Sequence, residues 1–410
     1  MNQCHIERVF SAEFLKWISN SQFSNDFENL KVQLESGYPN YQKFIPTFLS
    51  GSPSSSNVLM LDKSNNIKPF YFPRSNHHQS LFKDLFPPNH KIDRNLLANI
   101  LIERYNLPSF ISVPLMIQIN PKSIQSNHKY IRFHSLIPLG EILDLKENQD
   151  LIFSIITYNK GRNYAVADDF GFYLVSYLQS NPKFKFCLTN TSECSIFSRY
   201  ILMNLILTYD PEFRGRITRQ NFVSQDFIQI LDEVSNFEKF KEIYQIFEAL
   251  DIQKKDSLSF KDLLSYDHKR IHPKVLERVW RFLPGKKVND RITFADFVVF
   301  VILLEEKELQ ASLNFWFRVC DIEEDGILSL GEMKIWFQYQ KQMLKLMNTD
   351  TEKFKELVPQ IMDMMGSNAT QWTRRQIKES GSWVRLFNIL IDPKLFYGYF
   401  ELREDYANYN

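Results

Sequence analysis

The stretch "DIEEDGILSLGE" at residues 321–332 decides the fold of this chain. Counted from Asp321, acidic residues stand at positions 1, 3, 5 and 12, and a glycine stands at position 6. Calcium takes roughly six to eight oxygen ligands, and a twelve-residue loop with this spacing supplies them. The pattern therefore predicts a calcium-binding loop between an entering helix and an exiting helix.

The predicted ligands of this loop follow from the positions in it. They are the carboxylates of Asp321, Glu323 and Asp325, the backbone carbonyl of Ile327, the side chain of Ser329 directly or through water, and the bidentate carboxylate of Glu332. Gly326 allows the positive φ of a sharp turn. Position 3 usually holds Asp or Asn, so the longer Glu323 is expected to weaken binding without abolishing it. One calcium ion is the predicted cofactor.

The end of this loop has a signature that recurs along the chain: an aliphatic residue at position 8, a small polar residue at 9 and an acid at 12. It returns at 216–222, 257–263 and 291–297, and more weakly at 130–136, 164–170 and 371–377. Position 8 then falls at Ile131, Ala165, Ile217, Leu258, Ile292, Leu328 and Trp372. Helical periodicity flanks the loops, for example at 240–250 and 312–320. We predict a mostly α fold, an elongated array of paired EF-hand and degenerate EF-hand helix–loop–helix units.

Most of these loops have lost their ligands. Loop 251–262 carries Lys255 at position 5 and Gln253 at position 3, and loop 285–296 carries Lys287 at position 3. Loop 210–221 carries Arg214 at position 5. An ammonium or guanidinium repels the ion, so we expect an Arg or Lys to hold such loops together without metal. The sequence leaves open whether loop 285–296 or the segment near Trp372 pairs with loop 321–332.

Composition excludes several classes of function. Lys+Arg 49 against Asp+Glu 48 gives no basic field for nucleic acid, and the 12 glycines form no phosphate-binding cluster. No GxSxG or HExxH motif is present, so no catalytic residue is predicted. The apolar run 297–304 is too short for membrane insertion. Four scattered cysteines indicate a reduced environment, and we expect a soluble intracellular protein.

The expected domains are an N-terminal helical and linker segment (1–65), an aromatic motif with a degenerate EF-hand-like domain (66–195), and a C-terminal EF-hand domain (196–410). The aromatic motif lies in "NIKPFYFPRS" (66–75), where Phe70, Tyr71 and Phe72 stand between two prolines. These rings are candidates for docking on a partner groove. The alternative is a loop that plugs the core of this protein.

Several motifs resemble the B″ (B-double-prime) regulatory subunits of protein phosphatase 2A. They are "IKPFYFPR" (67–74), "ADDFGFYLVSYL" (167–178), "IFSRYILMNLILTYDPEFRGRITRQNF" (196–222) and the stretch from "VWRFLP" to "ILSLGEM" (279–333). The segment "ILIDPKLFYGYFELRED" (389–405) is similar to the gamma-type and plant Tonneau/Fass-type members.

This resemblance implies a non-catalytic subunit that binds the scaffold and catalytic subunits and directs the phosphatase to phosphoprotein substrates. It implies calcium ligands in two EF-hands, of which the second carries over onto loop 321–332 and the first only poorly onto loop 251–262. It also implies a cytoplasmic setting at the cytoskeleton, centrosome or basal body. The alternatives are a free-standing EF-hand calcium sensor or scaffold protein, and a calcium-regulated enzyme.

Overall fold

A computed structural model gives the fold of the chain. It describes residues 59–61, 67–69, 91–93, 102, 107–119, 130–132, 148–158, 162–188, 190–284, 290–347 and 353–396.

Helices dominate this part of the chain, as predicted. They are α1 (Ser109–Ile119), α2 (Asn148–Ile156), α3 (Ala167–Ser180), α4 (Thr191–Tyr209), α5 (Arg219–Val223), α6 (Phe227–Val234), α7 (Phe237–Leu250), α8 (Phe260–Leu263), α9 (Pro273–Phe282), α10 (Phe294–Glu305), α11 (Gln310–Cys320), α12 (Leu330–Leu346), α13 (Phe354–Met365), α14 (Arg374–Glu379) and α15 (Trp383–Ile391). Two 3₁₀ helices lie at Pro182–Leu188 and Tyr266–Lys269.

The strands are short and pair two by two. They are β1 (Leu59–Leu61), β2 (Ile67–Pro69), β3 (Lys91–Asp93), β4 (Tyr130–Arg132), β5 (Tyr164–Ala165), β6 (Ile217–Thr218), β7 (Ser257–Ser259), β8 (Arg291–Thr293), β9 (Ile327–Ser329) and β10 (Gln371–Thr373). The antiparallel pairs are β1–β2, β3–β4, β5–β6, β7–β8 and β9–β10.

Three of these pairs join two loops through their position-8 residues, and a fourth places the predicted position-8 residue Ile131 opposite Ile92. The partners are Ile92 with Ile131, Ala165 with Ile217, Leu258 with Ile292, and Leu328 with Trp372. All seven predicted position-8 residues lie in antiparallel pairs, as predicted, and the sequence pattern gave no signal for Ile92, the partner of Ile131. Loop 321–332 pairs with the segment at Trp372, and loop 285–296 pairs with loop 251–262. The array of paired helix–loop–helix units is thereby confirmed.

The chain divides into two compact units. The first comprises the described residues up to Leu205 together with Gly215–Asn236. The second comprises Ile206–Arg214 together with the described residues from Phe237 onward, and it contains loops 251–262, 285–296 and 321–332.

A capping box begins the exiting helix of several loops, which explains why these helices start where they do. The position-9 residues Ser259, Thr293, Ser329 and Thr373 each accept a hydrogen bond from the N–H three residues later. The carboxylate or amide oxygen of the residue at position 12 in turn accepts a hydrogen bond from the position-9 N–H. Each such cap stabilises its helix by roughly 1 kcal/mol.

Two tryptophans fix the core around the predicted calcium loop. Helix α10 is apolar on nearly all sides and is buried along most of its length, as expected for a central helix. Trp316 on α11 donates from Nε1 to the carbonyl of Leu303, at 2.6 Å. Trp336 on α12 donates from Nε1 to the carbonyl of Cys320, at 2.7 Å, and both rings are fully buried. This second bond ties the exiting helix to the last residue before the loop.

In the ranges that the structure describes, no helix combines the length and the hydrophobicity needed to cross a bilayer.

Candidate calcium site

The backbone of loop 321–332 follows a tight path between α11 and β9. Glu324 at position 4 has φ +56° and Gly326 at position 6 has φ +83°. A Cβ built on Gly326 would have no atom within 4 Å, so there is space for a side chain. The positive φ is what disfavours any residue other than glycine at this position. The turn predicted at Gly326 is confirmed.

Asp321 lies buried at the base of the loop, with 5% of its surface exposed. Its Oδ1 accepts from the N–H of Asp325 at 3.2 Å, and its Oδ2 accepts from the N–H of Gly326 at 2.9 Å. Burial raises the pKa of the Asp321 carboxyl, and the carboxylates of Glu332 and Asp325 add to this increase. The two N–H bonds oppose it. Negative charge in the loop is therefore under mutual repulsion, which a divalent cation would relieve.

Glu332 reaches across the loop from the first turn of α12 and is 4% exposed. Its Oε1 accepts from the N–H groups of Ile322 at 2.7 Å and Glu323 at 3.1 Å. Its Oε2 accepts from Ser329, from the N–H and from Oγ, each at 2.8 Å. One carboxylate therefore joins the start, the strand and the exiting helix of the loop.

The other predicted carboxylates lie on the rim. Glu323 and Asp325 are exposed, and Asp325 Oδ1 accepts from the N–H of Ile327 at 2.8 Å. Within the described residues, no three His, Cys, Asp or Glu side chains stand close enough to form a ready metal cluster. Asp321, Asp325 and Glu332 instead accept hydrogen bonds from the backbone of the loop itself.

The donor set nevertheless has the chemistry that calcium requires. Four carboxylates and one backbone carbonyl belong to a single twelve-residue loop, as calcium prefers. None of Asp321, Glu323, Asp325 and Glu332 forms an ion pair with an Arg or Lys that the structure describes, so no fixed cation neutralises them. The residues present fit a calcium ion.

Two degenerate loops keep the same backbone. In loops 210–221 and 251–262 the N–H at position 5 donates to Oδ1 of the aspartate at position 1, at 3.0 and 3.1 Å. Positive φ values also recur at positions 4 and 6 of these loops, at Phe213, Gly215, Lys254 and Asp256. The loop conformation is thus retained where the metal ligands are lost.

Loop 251–262 contains a cation of its own, supplied by its partner loop. The Arg291 guanidinium lies 3.8 Å from Asp251 Oδ1 and 3.5 Å from Asp262 Oδ2, the acids at positions 1 and 12. It also donates from Nε to Ser257 Oγ, at 2.8 Å, and from Nη2 to the Ser257 carbonyl. The prediction that a basic residue in a ligand position holds this loop is wrong here, because the cation is Arg291 of the partner loop and not Lys255.

Loop 158–169 uses a related solution. Arg162 at position 5 forms an ion pair with the buried Asp169 at position 12, which also accepts from the Val166 N–H at 2.8 Å. Here the cation stands where a position-5 acid would be in a calcium loop.

Gln371 is the counterpart of Arg291 beside the predicted calcium loop. Arg291 lies opposite Ser259 in the β7–β8 pair, and Gln371 lies opposite Ser329 in the β10–β9 pair. Gln371 is exposed and neutral. At the register where Arg291 supplies a cation to loop 251–262, loop 321–332 therefore has only the neutral Gln371.

The candidate partner-binding rings Phe70, Tyr71 and Phe72 lie outside the described residues. They directly follow β2, which pairs with β1. Their role stays a prediction.

Comparison with known proteins tests the resemblance to B″ regulatory subunits independently of the loop geometry. No protein-family model matches the chain. It is 24% identical over 318 residues to a probable B″-epsilon regulatory subunit of serine/threonine protein phosphatase 2A from Arabidopsis thaliana, covering 73% of this chain and 59% of that relative. It is 28% identical over 232 residues to the human beta-type B″ regulatory subunit of the same phosphatase, covering 52% of this chain and 40% of that relative.

A solved structure of a PP2A PR70 holoenzyme contains a chain with a similar fold. The TM-score is 0.54 at 22% sequence identity, and the match covers 60% of this chain and 97% of that chain. The curated relatives that the chain matches are B″ regulatory subunits of phosphatase 2A from plants and animals, as the sequence motifs predicted.

The B″ relatives are longer than the matched region. The chain spans about 60% of the length of the two Arabidopsis relatives and less of the human beta-type and alpha-type relatives. Alpha, beta, gamma, delta and epsilon types are all among the B″ matches. The similarity to the gamma-type and Tonneau/Fass-type members stays a prediction.

Proposed function

We propose that the chain is a non-catalytic regulatory subunit of protein phosphatase 2A that binds the scaffold and catalytic subunits. In this role it directs the phosphatase to phosphoprotein substrates. The observation that carries the proposal is the similarity to a B″ regulatory subunit across 73% of the chain. The shared fold supports it further.

We also propose that this protein takes one calcium ion, held by Asp321, Glu323, Asp325, the Ile327 carbonyl, Ser329 and Glu332. Calcium supplies a divalent charge that neutralises the loop carboxylates and draws them together. Asp321 and Glu332 are both buried in the loop, and the absence of an ion pair to them within the described residues supports the assignment. Loop 251–262 takes no calcium, because the Arg291 guanidinium lies between its two acids.

The test is capture of purified phosphatase 2A scaffold and catalytic subunits by the full chain, once with calcium and once with a chelator. Capture in either condition is the expected result, and a difference between the two assigns the calcium loop a role in assembly. No capture in both contradicts the regulatory-subunit proposal. A calorimetric titration with calcium alone then distinguishes a free-standing calcium sensor or scaffold protein from a chain that binds no calcium.

The segment Phe70–Tyr71–Phe72 is proposed as an anchor for the phosphatase subunits. Its replacement by three alanines should weaken capture while leaving the melting temperature nearly unchanged. A large fall in melting temperature without a specific loss of capture would instead indicate that the rings fill the core of this protein. We further propose a cytoplasmic site of action, at the cytoskeleton, centrosome or basal body, which localisation of a tagged full chain would test.

A further inference from the structure

Three guanidinium groups surround one aromatic ring beside loop 321–332. The ring is Phe282, which ends α9 and is 6% exposed. The guanidinium carbons of Arg278, Arg281 and Arg318 lie 4.7, 5.1 and 4.4 Å from its centroid. Cation–π contacts of this kind hold the three positive charges together against their mutual repulsion.

One carboxylate, that of Glu324, forms ion pairs with this arginine cluster. Glu324 Oε1 lies 3.1 Å from Arg278 Nη1 and 2.9 Å from Arg281 Nη2. Arg318 forms no ion pair with any residue that the structure describes. Partial burial and the nearby Arg281 and Arg278 lower the pKa of Arg318, and Glu324 opposes them. The cluster thus carries more positive than negative charge on a chain whose overall charge is close to zero.

The three arginines differ in how their donors are used. Arg278 donates from Nε to the Val319 carbonyl at 3.1 Å, and from Nη2 to the carbonyls of Arg318 and Asp321. Its donors are therefore committed to the end of α11. Arg281 and Arg318 are exposed, and Arg318 makes no side-chain hydrogen bond within the described residues. Their donors remain accessible to a partner.

We propose that Arg281 and Arg318 bind a carboxylate side chain in an acidic peptide segment of a partner protein, on the arginine cluster around Phe282. Charge complementarity is the argument for an anion. The position of Glu324 is the argument for a carboxylate, because such a group already fits between two of the guanidiniums at hydrogen-bond distance. A partner carboxylate would form an ion pair with Arg318 and would compete with Glu324 for Arg281. The proposal goes beyond the phosphatase role and needs no calcium in the loop.

The experiment measures fluorescence anisotropy of a labelled Asp/Glu-rich peptide titrated with the full chain, in chelator and at low ionic strength. The double variant Arg281→Gln/Arg318→Gln should bind about tenfold more weakly, because both accessible guanidiniums are lost. Glu324→Gln should bind about threefold more tightly, because the competing carboxylate is gone. The matched control is Arg375→Gln, which removes an exposed arginine paired with Glu379 elsewhere on the surface and should change nothing.

Equal binding by the wild type and the double variant would overturn the proposal, as would weaker binding by Glu324→Gln. A loss in Arg375→Gln as large as in the double variant would show a non-specific charge effect and would also overturn it. Binding of a phosphoserine peptide in place of the Asp/Glu-rich one would refute the carboxylate assignment. Circular dichroism melting of each variant shows that it is folded. Since no phosphatase subunit is present, the outcome is independent of the proposed function.

Discussion

Replacing Gln371 by arginine is expected to suppress calcium binding by loop 321–332 without altering any of its ligands. Gln371 has the same register opposite Ser329 that Arg291 has opposite Ser259. An arginine there can place its guanidinium between Asp321 and Glu332, as Arg291 does between the two acids of loop 251–262. Loop 321–332 would then contain a built-in cation, as loop 251–262 does.

The expected size of the effect follows from the Arg291 geometry. The guanidinium lies 3.8 and 3.5 Å from the two carboxylate oxygens, and calcium would need the same oxygens at about 2.3–2.6 Å. Both cations cannot be held at once, so calcium must displace the arginine. Two charge-assisted contacts of roughly 1.5 kcal/mol each are then lost. About 3 kcal/mol corresponds to a weakening of calcium affinity by roughly a hundredfold.

Isothermal titration calorimetry on the full chain measures this change, and Gln371→Met is the matched control for side-chain length. The control should keep the wild-type affinity, because it adds no charge. Wild-type affinity in Gln371→Arg would refute the idea that an arginine at this register acts as an internal cation. A wild-type chain that takes up no calcium would instead contradict the assignment of loop 321–332.

Three other substitutions test the remaining contacts. Glu332→Gln should abolish most calcium binding in the same titration, because it removes the bidentate carboxylate, whereas an unchanged titration would mean that the site is misassigned. Arg291→Gln should lower the free energy of unfolding by about 2 kcal/mol in urea, since the buried Asp251 loses its cation; an unchanged midpoint would contradict this role. Burial lowers the pKa of Lys307 to about 8, below that of a lysine in the unfolded chain. Between about pH 8 and 10.5 the unfolded chain therefore binds a proton that the folded protein has released, so the stability of the wild type should rise relative to Lys307→Met as the pH increases. A difference in unfolding free energy between the wild type and Lys307→Met that stays constant across this pH range would contradict that pKa.

Much of this architecture could be predicted from the sequence, because a short signature marks the same point of every loop. The aliphatic residue at position 8 must enter a short antiparallel bridge, and the residue at position 9 must cap the next helix. The sequence pattern gives no signal at Ile92, because the residue four positions after it is Leu96 and not an acid. The pairing of loop 321–332 with Trp372 could not be predicted, since spacing along the chain does not determine which bridges meet.

Arg291 illustrates a different limit of sequence reasoning. It stands at position 7, where a calcium loop uses only its backbone carbonyl, so the side chain there carries no expected role. Its guanidinium acts on the neighbouring loop, across a strand pair, and not on its own. The lysine at position 5 of loop 251–262 explains why calcium is repelled, but only the pairing of the loops reveals what replaces it.

The bridge between Leu328 and Trp372 has a consequence for how a calcium signal would be received. The loop on the Trp372 side has Met365, Ser367, Ala369 and Gln376 at positions 1, 3, 5 and 12, so it offers no acid to a second ion. Cooperative uptake needs two sites whose affinities depend on each other, and this pair holds only one. With calcium in loop 321–332 as proposed, occupancy follows a simple hyperbola. Such a protein would grade its response to the calcium concentration and would have no sharp threshold.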